Sequence, residues 1–257
     1  FQPIIDDGLA VLETAGSLQE GRKIWIQAKY ADAVEVKDGD SIIPYLLLAN
    51  GHDGKMSLRL MNTPMRVVCW NTMQGAGAKE DGDGADPAKS GYAITHQGDV
   101  VAKAETARKA IVAMNREFQI TVDAYRDLAK QPVTEQYVRE LAKQLWDREY
   151  MQANELIIRF RQREAEQKGK ARKETAAKIA ELEKLMDIES RTERKVVDAF
   201  HNSPGCEGKT KWDAFNAVTY QIDHASQGSA HNRLTSSWFG NGARKRSKAF
   251  ALLQGSR

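Results

Sequence analysis

The chain has 257 residues, with 38 Lys+Arg against 35 Asp+Glu and 41% hydrophobic residues. That composition excludes fibrous and disordered classes and leaves one large or two small globular domains, either able to bury a core. No run approaches the roughly 18 apolar residues of a membrane-spanning helix; the longest, such as Tyr45-Leu46-Leu47-Leu48-Ala49, are strand-sized.

The net charge of +3 hides an asymmetry along the chain. Residues 1–100 carry 9 basic against 14 acidic residues, residues 101–200 carry 21 against 18, and residues 201–257 carry 8 against 3. A basic end of this kind is either a solvated tail or the footprint of an anionic partner such as nucleic acid. Cys69 and Cys206 belong to no CxxC pair and are too few for a disulfide framework, so a reducing cytoplasm is expected, with a single bridge left open. The chain starts at Phe1 with no basic-then-apolar leader pattern, and a longer N-terminus is expected.

Taken in order, Arg22–Tyr30 alternates apolar and polar residues with aromatic and β-branched content, the pattern of a half-buried strand. Val34–Lys37 runs into Asp38-Gly39-Asp40, Ile42–Ala49 reads as a second strand, Asn50–Gly54 as a tight turn and Met56–Met61 as a third strand. These make a hairpin-connected antiparallel sheet. Thr63–Met73 is expected to form a short helix opened by Pro64, although Val67 and Val68 also suit a strand. Gly75–Gly91 reads as an exposed loop and Tyr92–His96 as one more strand.

From Ala104 the apolar residues Ala107, Ile111, Met114, Phe118, Val122, Tyr125 and Ala129 recur every three or four positions, which predicts an amphipathic helix. Pro132 ends it, Thr134 caps the next, and Tyr137, Leu141, Leu145, Leu156 and Phe160 continue in helical register. Residues 161–195 are charged and helical, with a stripe at Ile179, Leu182, Leu185 and Met186. After the loop 202–208, Thr210 and Asp213 suggest a capping box for a helix burying Trp212, Phe215, Val218 and Ile222. Gln227–Asn232 reads as a polar turn, and Ser237–Leu253 as the last helix, interrupted or started near Gly240. The expected class is α+β: a sheet with a short helix over residues 1–100, then a helical region over 101–257 with a basic C-terminal segment, the two able to form one domain.

Familiar chemistry is mostly excluded. Asp83–Ser90 has Asp83 and Ala88 where a phosphate-binding loop needs its glycines, and Pro87 removes an amide donor. Asp81–Tyr92 places Ala85, Asp86 and Tyr92 where a calcium loop needs a ligand, Gly and Glu. The five histidines show no metal-ligand spacing with the cysteines, and Asp223-His224, adjacent on a helix, is better read as capping than as an acid/base pair. No cofactor is expected.

What remains is cations mixed with aromatics. Arg22, Lys23, Trp25, Lys29 and Tyr30 lie on the first strand and Arg59 on the third. With Lys209, Lys211, Trp212, Arg233 and the cluster Arg244, Lys245, Arg246, Lys248, they could line a groove that tracks a phosphate backbone. For any single residue the plainer reading, a core tryptophan or a solvated cation, is the favoured one.

Several motifs carry a resemblance that spans almost the whole chain. They are Glu13-Thr-Ala-Gly-Ser-Leu18 leading to Gly21-Arg-Lys-Ile-Trp25; Tyr45–Asn50 with His52-Asp53-Gly54; and Thr63–Cys69 with Asn71-Thr72. Near the end come Lys211-Trp212, Asn216–Thr219, Asp223-His224 and Phe239–Ala243. In their order and spacing the sequence resembles a phage/plasmid-like protein family whose domain has no assigned function. Members carry a further region before Glu13–Leu18; residues 75–91 and 161–195 depart from the pattern. The resemblance implies a setting in mobile elements of bacteria. By analogy it also implies similarity to single-strand annealing recombinases, which pack a β-hairpin sheet on a helix, form rings or filaments and act without ATP.

The expectation is therefore a non-enzymatic, cytoplasmic, homo-oligomeric protein that binds single-stranded DNA and anneals complementary strands. The sheet and the helix expected around Arg66–Thr72 would form the groove, with Arg22, Lys23, Lys29, Arg59 and Arg66 on phosphates and Arg244–Lys248 as a second contact. A phage exonuclease or host single-strand-binding protein is a further partner such a protein could have. Two rival readings are a metal-dependent nucleic-acid enzyme using His52, Asp53 or Asp223-His224, and an interaction or anti-defence protein that docks a host protein through residues 161–195.

Overall fold

Alternating residues of a strand face opposite sides, so the all-apolar run 45–49 demands a sheet covered on both faces. The computed structural model, which describes residues 8, 10–18, 20–52, 58–69, 92–94, 100–225 and 228–255, has that arrangement. Its strands are β1 (Val11–Leu18), β2 (Lys23–Lys29), β3 (Val34–Lys37), β4 (Asp40–Ile43), β5 (Tyr45–Gly51), β6 (Leu58–Asn62), β7 (Met65–Arg66) and β8 (Tyr92–Ile94). An antiparallel sheet runs in the order β1-β2-β5-β6-β8, and a small one in the order β3-β4-β7.

The helices are α1 (Val100–Lys130), α2 (Glu135–Glu166), α3 (Gly169–Asn202), α4 (Lys211–Tyr220), α5 (Ala230–Phe239) and α6 (Asn241–Gln254), with a π-helical segment, Gln221–Ala225, continuing α4. The class is α+β, an N-terminal antiparallel sheet followed by helices. One face of the large sheet, through Ala28, Leu46 and Leu60, packs on Ala110, Ile111 and Met114 of α1. The other, through Leu47, Ala49 and Met61, packs on Trp238 and Phe239 of α5. The largest cluster gathers Phe118, Val122 and Tyr125 of α1, Leu141 of α2, Phe200 of α3, Trp212 and Phe215 of α4 and Leu253 of α6.

Several expectations are corrected. Ile42–Ala49 is two strands, because Pro44 has no N–H for a ladder and divides the run between the two sheets. Thr63–Met73 does not open a helix: Met65 and Arg66 pair with Ile43 and Ile42, residues 67–69 turn, and the rest of the segment lies outside the described residues. β-Branched Val67 and Val68 fit that extended course better than a helical turn. β1 was not anticipated, because Val11–Leu18 lacks alternation and carries an irregular register between Leu12 and Thr14. Of the expected turn 227–232, residues 230–232 instead belong to α5, which Ser229 caps, and the last helical stretch is two helices parted at Gly240.

The capping reading at 210 holds: the Thr210 hydroxyl accepts from the Asp213 amide, and Asp213 accepts from the Thr210 amide. Thr134 caps α2 as expected. The expected loop 75–91, Asp53 and His96 lie outside the described residues. No helix among the described residues is long and apolar enough to cross a membrane.

Candidate nucleic-acid interface

Two of the expected phosphate ligands are taken up inside the protein. Arg66 is 0% exposed; its Nε and Nη2 donate to Asp40 Oδ1 and Oδ2 at 2.8 and 2.6 Å, a bidentate fork, and Nη1 and Nη2 donate to the carbonyls of Pro204 and Gly205 at 2.9 and 2.8 Å. Trp212 Nε1 donates to the same Asp40 carboxylate at 2.7 Å. Burial opposes the guanidinium charge, yet the Asp40 hydrogen bonds and charge outweigh it and hold Arg66 above its ordinary pKa. Gly205, at φ +70°, leaves no room for a side chain: a Cβ there would stand 2.5 Å from Arg66 Nη2.

Arg246 is 3% exposed. It donates to Asp223 Oδ1 at 2.8 Å and to the Ser237 hydroxyl and carbonyl at 2.8 and 3.0 Å. Asp223 is thereby the anchor of α6: the capping reading is corrected for Asp223, which is half of a buried ion pair, while His224 is exposed with its ring 4.9 Å from that of Tyr220. Both arginines are structural: a phosphate could reach neither without breaking its pair. Trp212, fully buried, is likewise unable to stack on a base.

The remaining cations fall in three places. Strand register puts Lys23 opposite Gly51, Trp25 opposite Ala49, and Arg59 also opposite Ala49. Lys23, Trp25 and Arg59 thus share the sheet face that α5 covers. There Lys23 Nζ lies 5.2 Å from the Phe239 ring centre, and the Trp25 and Trp238 rings meet edge to face at 5.0 Å. Gly16 is the cross-strand partner of Trp25, and a Cβ at Gly16 would come within 2.7 Å of the indole. That contact explains why the Glu13–Leu18 motif carries a glycine in mid-strand. Arg22 is exposed beside Lys23, and α6, which starts two residues after Phe239, presents Arg244 to solvent.

Lys29 shares the face of Lys23 but lies six residues along β2, about 20 Å away, beside Asp32 at 3.4 Å. Arg233 donates to the Gly228 carbonyl at 2.7 Å. Lys245 lies over the Trp146 ring at 4.6 Å, and Lys248 donates to the Gln144 carbonyl at 3.0 Å, so this pair clamps α6 to α2. At the start of α4, Lys209 pairs with Glu207 at 2.9 Å and Lys211 donates to the Leu253 carbonyl at 2.8 Å. The structure therefore brings Lys23 to Phe239 of α5 and places Arg59 on the same sheet face, while Lys29, Lys209 and Lys211 have partners elsewhere.

Both faces of the central strand are occupied, β5 being covered by α1 on one face and by α5 on the other, and residues 70–72 of the expected groove lie outside the described residues. Open surface lies at the β1–β2 side, where Val11, Leu12 and Ile24 are exposed. Among the described residues no group of three or more His, Cys, Asp or Glu is placed to hold a metal ion. Cys69 and Cys206 are free thiols that lie 3.5 and 3.9 Å from Arg66 Nη1, and burial pushes the Cys206 thiol up.

The family model for a domain of unknown function, DUF932, matches residues 1–251, and the chain belongs to that family. No curated protein and no solved structure matches it.

Proposed function

We propose that this DUF932 protein is a phage- or plasmid-borne single-stranded DNA-binding protein that anneals complementary strands without ATP, as a homo-oligomer in the bacterial cytoplasm. The observation that carries this reading is that Lys23 and Arg59 share the sheet face on which Trp25, Trp238 and Phe239 pack, with exposed Arg22 next to Lys23 in the chain and exposed Arg244 five residues after Phe239. Cations there are held by rigid elements, since β2 and α5 are both packed into the third core cluster. Lys29, Lys209, Lys211, Arg233, Lys245 and Lys248 surround the body as secondary contacts. Arg66 and Arg246 hold the scaffold.

Annealing by such a surface is positioning rather than covalent chemistry. A row of cations fixes sugar-phosphate backbone and lowers the repulsion between two strands, while bases left unstacked toward solvent are free to pair. The test is annealing of two complementary oligonucleotides, one carrying a fluorophore and the other a quencher, with no nucleotide present. The protein is expected to raise the annealing rate at least tenfold, and Arg22→Gln/Lys23→Gln/Arg244→Gln to abolish most of that gain. An unchanged rate contradicts the proposal.

A further inference from the structure

The α2–α3 hairpin is an arm whose base and tip have different chemistry. At the base, Val138, Leu141, Ala142 and Leu145 of α2 and Val196, Val197, Ala199 and Phe200 of α3 belong to the main core. Further out, the buried apolar residues Ile157 and Ile179 belong to none of the three core clusters. From Trp146 to the end of α2 is 20 residues, about 30 Å of helix.

Charge concentrates at the far end. Residues 157–173 contain Arg159, Arg161, Arg163, Lys168, Lys170, Arg172 and Lys173 against Glu164 and Glu166, a net +5 that exceeds the +3 of the entire chain. All seven cations are exposed. Arg161 pairs with Glu183 at 2.6 Å, Arg172 with Glu164 at 3.5 Å and Lys170 with Glu174 at 3.9 Å. Among the described residues Arg159, Arg163, Lys168 and Lys173 make no ion pair. α3 also starts at this tip, without an acidic residue in its first turn and without a side-chain cap on its amides, so the positive end of its dipole adds to the same field.

We infer that the tip of the α2–α3 arm is a second nucleic-acid contact, remote from the sheet, that takes the phosphate backbone through Arg159, Arg163, Lys168 and Lys173. This inference rests on the DNA-binding reading proposed above. A polyanion suits the tip because four of its seven exposed cations have no ionic partner among the described residues, and arginines four apart on a helix lie about 6 Å apart along its axis, near the spacing of two successive phosphates of a strand. A membrane-surface helix needs an apolar face beside its cations. The exposed apolar residues of the arm, Leu156 and Ile158, stop short of the tip, where Arg159–Lys173 exposes no large apolar side chain. An arm that holds one strand while the body holds another raises the local concentration of the second strand.

The test compares the full chain with Arg159→Gln/Arg163→Gln/Lys168→Gln/Lys173→Gln. These are exposed helical positions where glutamine keeps helix propensity; unchanged far-UV circular dichroism verifies the fold. Binding of a fluorescein-labelled single-stranded oligonucleotide is measured across a salt series. Loss of four phosphate contacts is expected to lower the slope of log K against log salt by about 3 and to weaken binding at least tenfold at low salt. If the variant binds as the parent does while Arg22→Gln/Lys23→Gln/Arg244→Gln weakens binding, the arm inference is overturned and the DNA-binding reading stands. If the parent does not bind DNA, both fall. If the tip instead governs binding to phosphatidylglycerol vesicles or nuclease-resistant capture of an acidic protein, with DNA affinity unmoved, the assignment to nucleic acid is overturned.

Discussion

Asp40 ties three parts of the chain together through one carboxylate, which accepts from Arg66 on β7 and from the Trp212 indole on α4. Removing one member of a buried ion pair strands the other's charge and costs about 3–5 kcal/mol. Asp40→Ala is therefore expected to lower the urea-unfolding free energy by that amount, and a loss under about 1 kcal/mol contradicts the role. Arg66→Lys loses the bidentate fork and should be destabilised too, while the DNA affinity of its folded fraction stays at the parental value. A second residue carries a pH signature. The Tyr45 hydroxyl donates to Glu13 at 2.5 Å, and burial, then Glu13, pushes its pKa from 10.0 up to about 12. Folding thus favours the neutral phenol, a contribution complete below pH 10 and lost as pH rises toward 12. Tyr45→Phe should show a smaller fall in its urea midpoint between pH 9 and pH 11 than the parent; equal falls exclude Tyr45 as the source. Lys23 and Trp25 could be read onto one face from local alternation along β2, whereas Arg59 joins that face only through the register of β2, β5 and β6. The roles of Arg66 and Arg246 were not legible, since Asp40 lies 26 residues from Arg66 and reads as a turn residue, and Trp212 lies 172 residues from Asp40.

At the scale of elements, the helices with strong local signals stand where periodicity and capping chemistry put them. α1 follows its unbroken apolar stripe, and α4 starts at the Thr210 capping box. The strands were harder, because pairing is a long-range event: β1 becomes a strand by lying against β2, and β7 by lying against β4, with little in either segment to announce it. The arm differs energetically from the body it grows from. Its distal half buries Ile157 and Ile179, whereas α1 buries Phe118, Val122 and Tyr125 in the main cluster. Native-state hydrogen exchange should therefore show amides of residues 155–184 exchanging through local opening, and those of residues 118–125 only through global unfolding. Ile157→Asp should speed exchange in the arm by more than tenfold and leave residues 118–125 unchanged; a matching acceleration in both regions would mean that arm and body unfold as one unit.

For the whole molecule, averaging charge over long blocks concealed where it sits. Residues 101–200 carry a modest net excess of basic residues, yet 157–173 alone carry +5, because the acidic residues of this region lie mostly elsewhere on the helices. The chain thus presents cations in two separated zones: the end of the sheet beside α5–α6, and the tip of the arm. Between them, the most deeply buried arginines are internal braces, and the aromatic residues that could have stacked on bases largely form the core instead. Such a layout fits recognition of a flexible polyanion by position and charge. The measurement that tests this most directly is fluorescence anisotropy of a labelled oligonucleotide titrated with the full chain at two salt concentrations, with the duplex of the same sequence beside it. Binding that prefers the single strand and weakens steeply as salt rises is the predicted result; absence of binding at low salt, or equal salt-insensitive binding to both forms, contradicts the account.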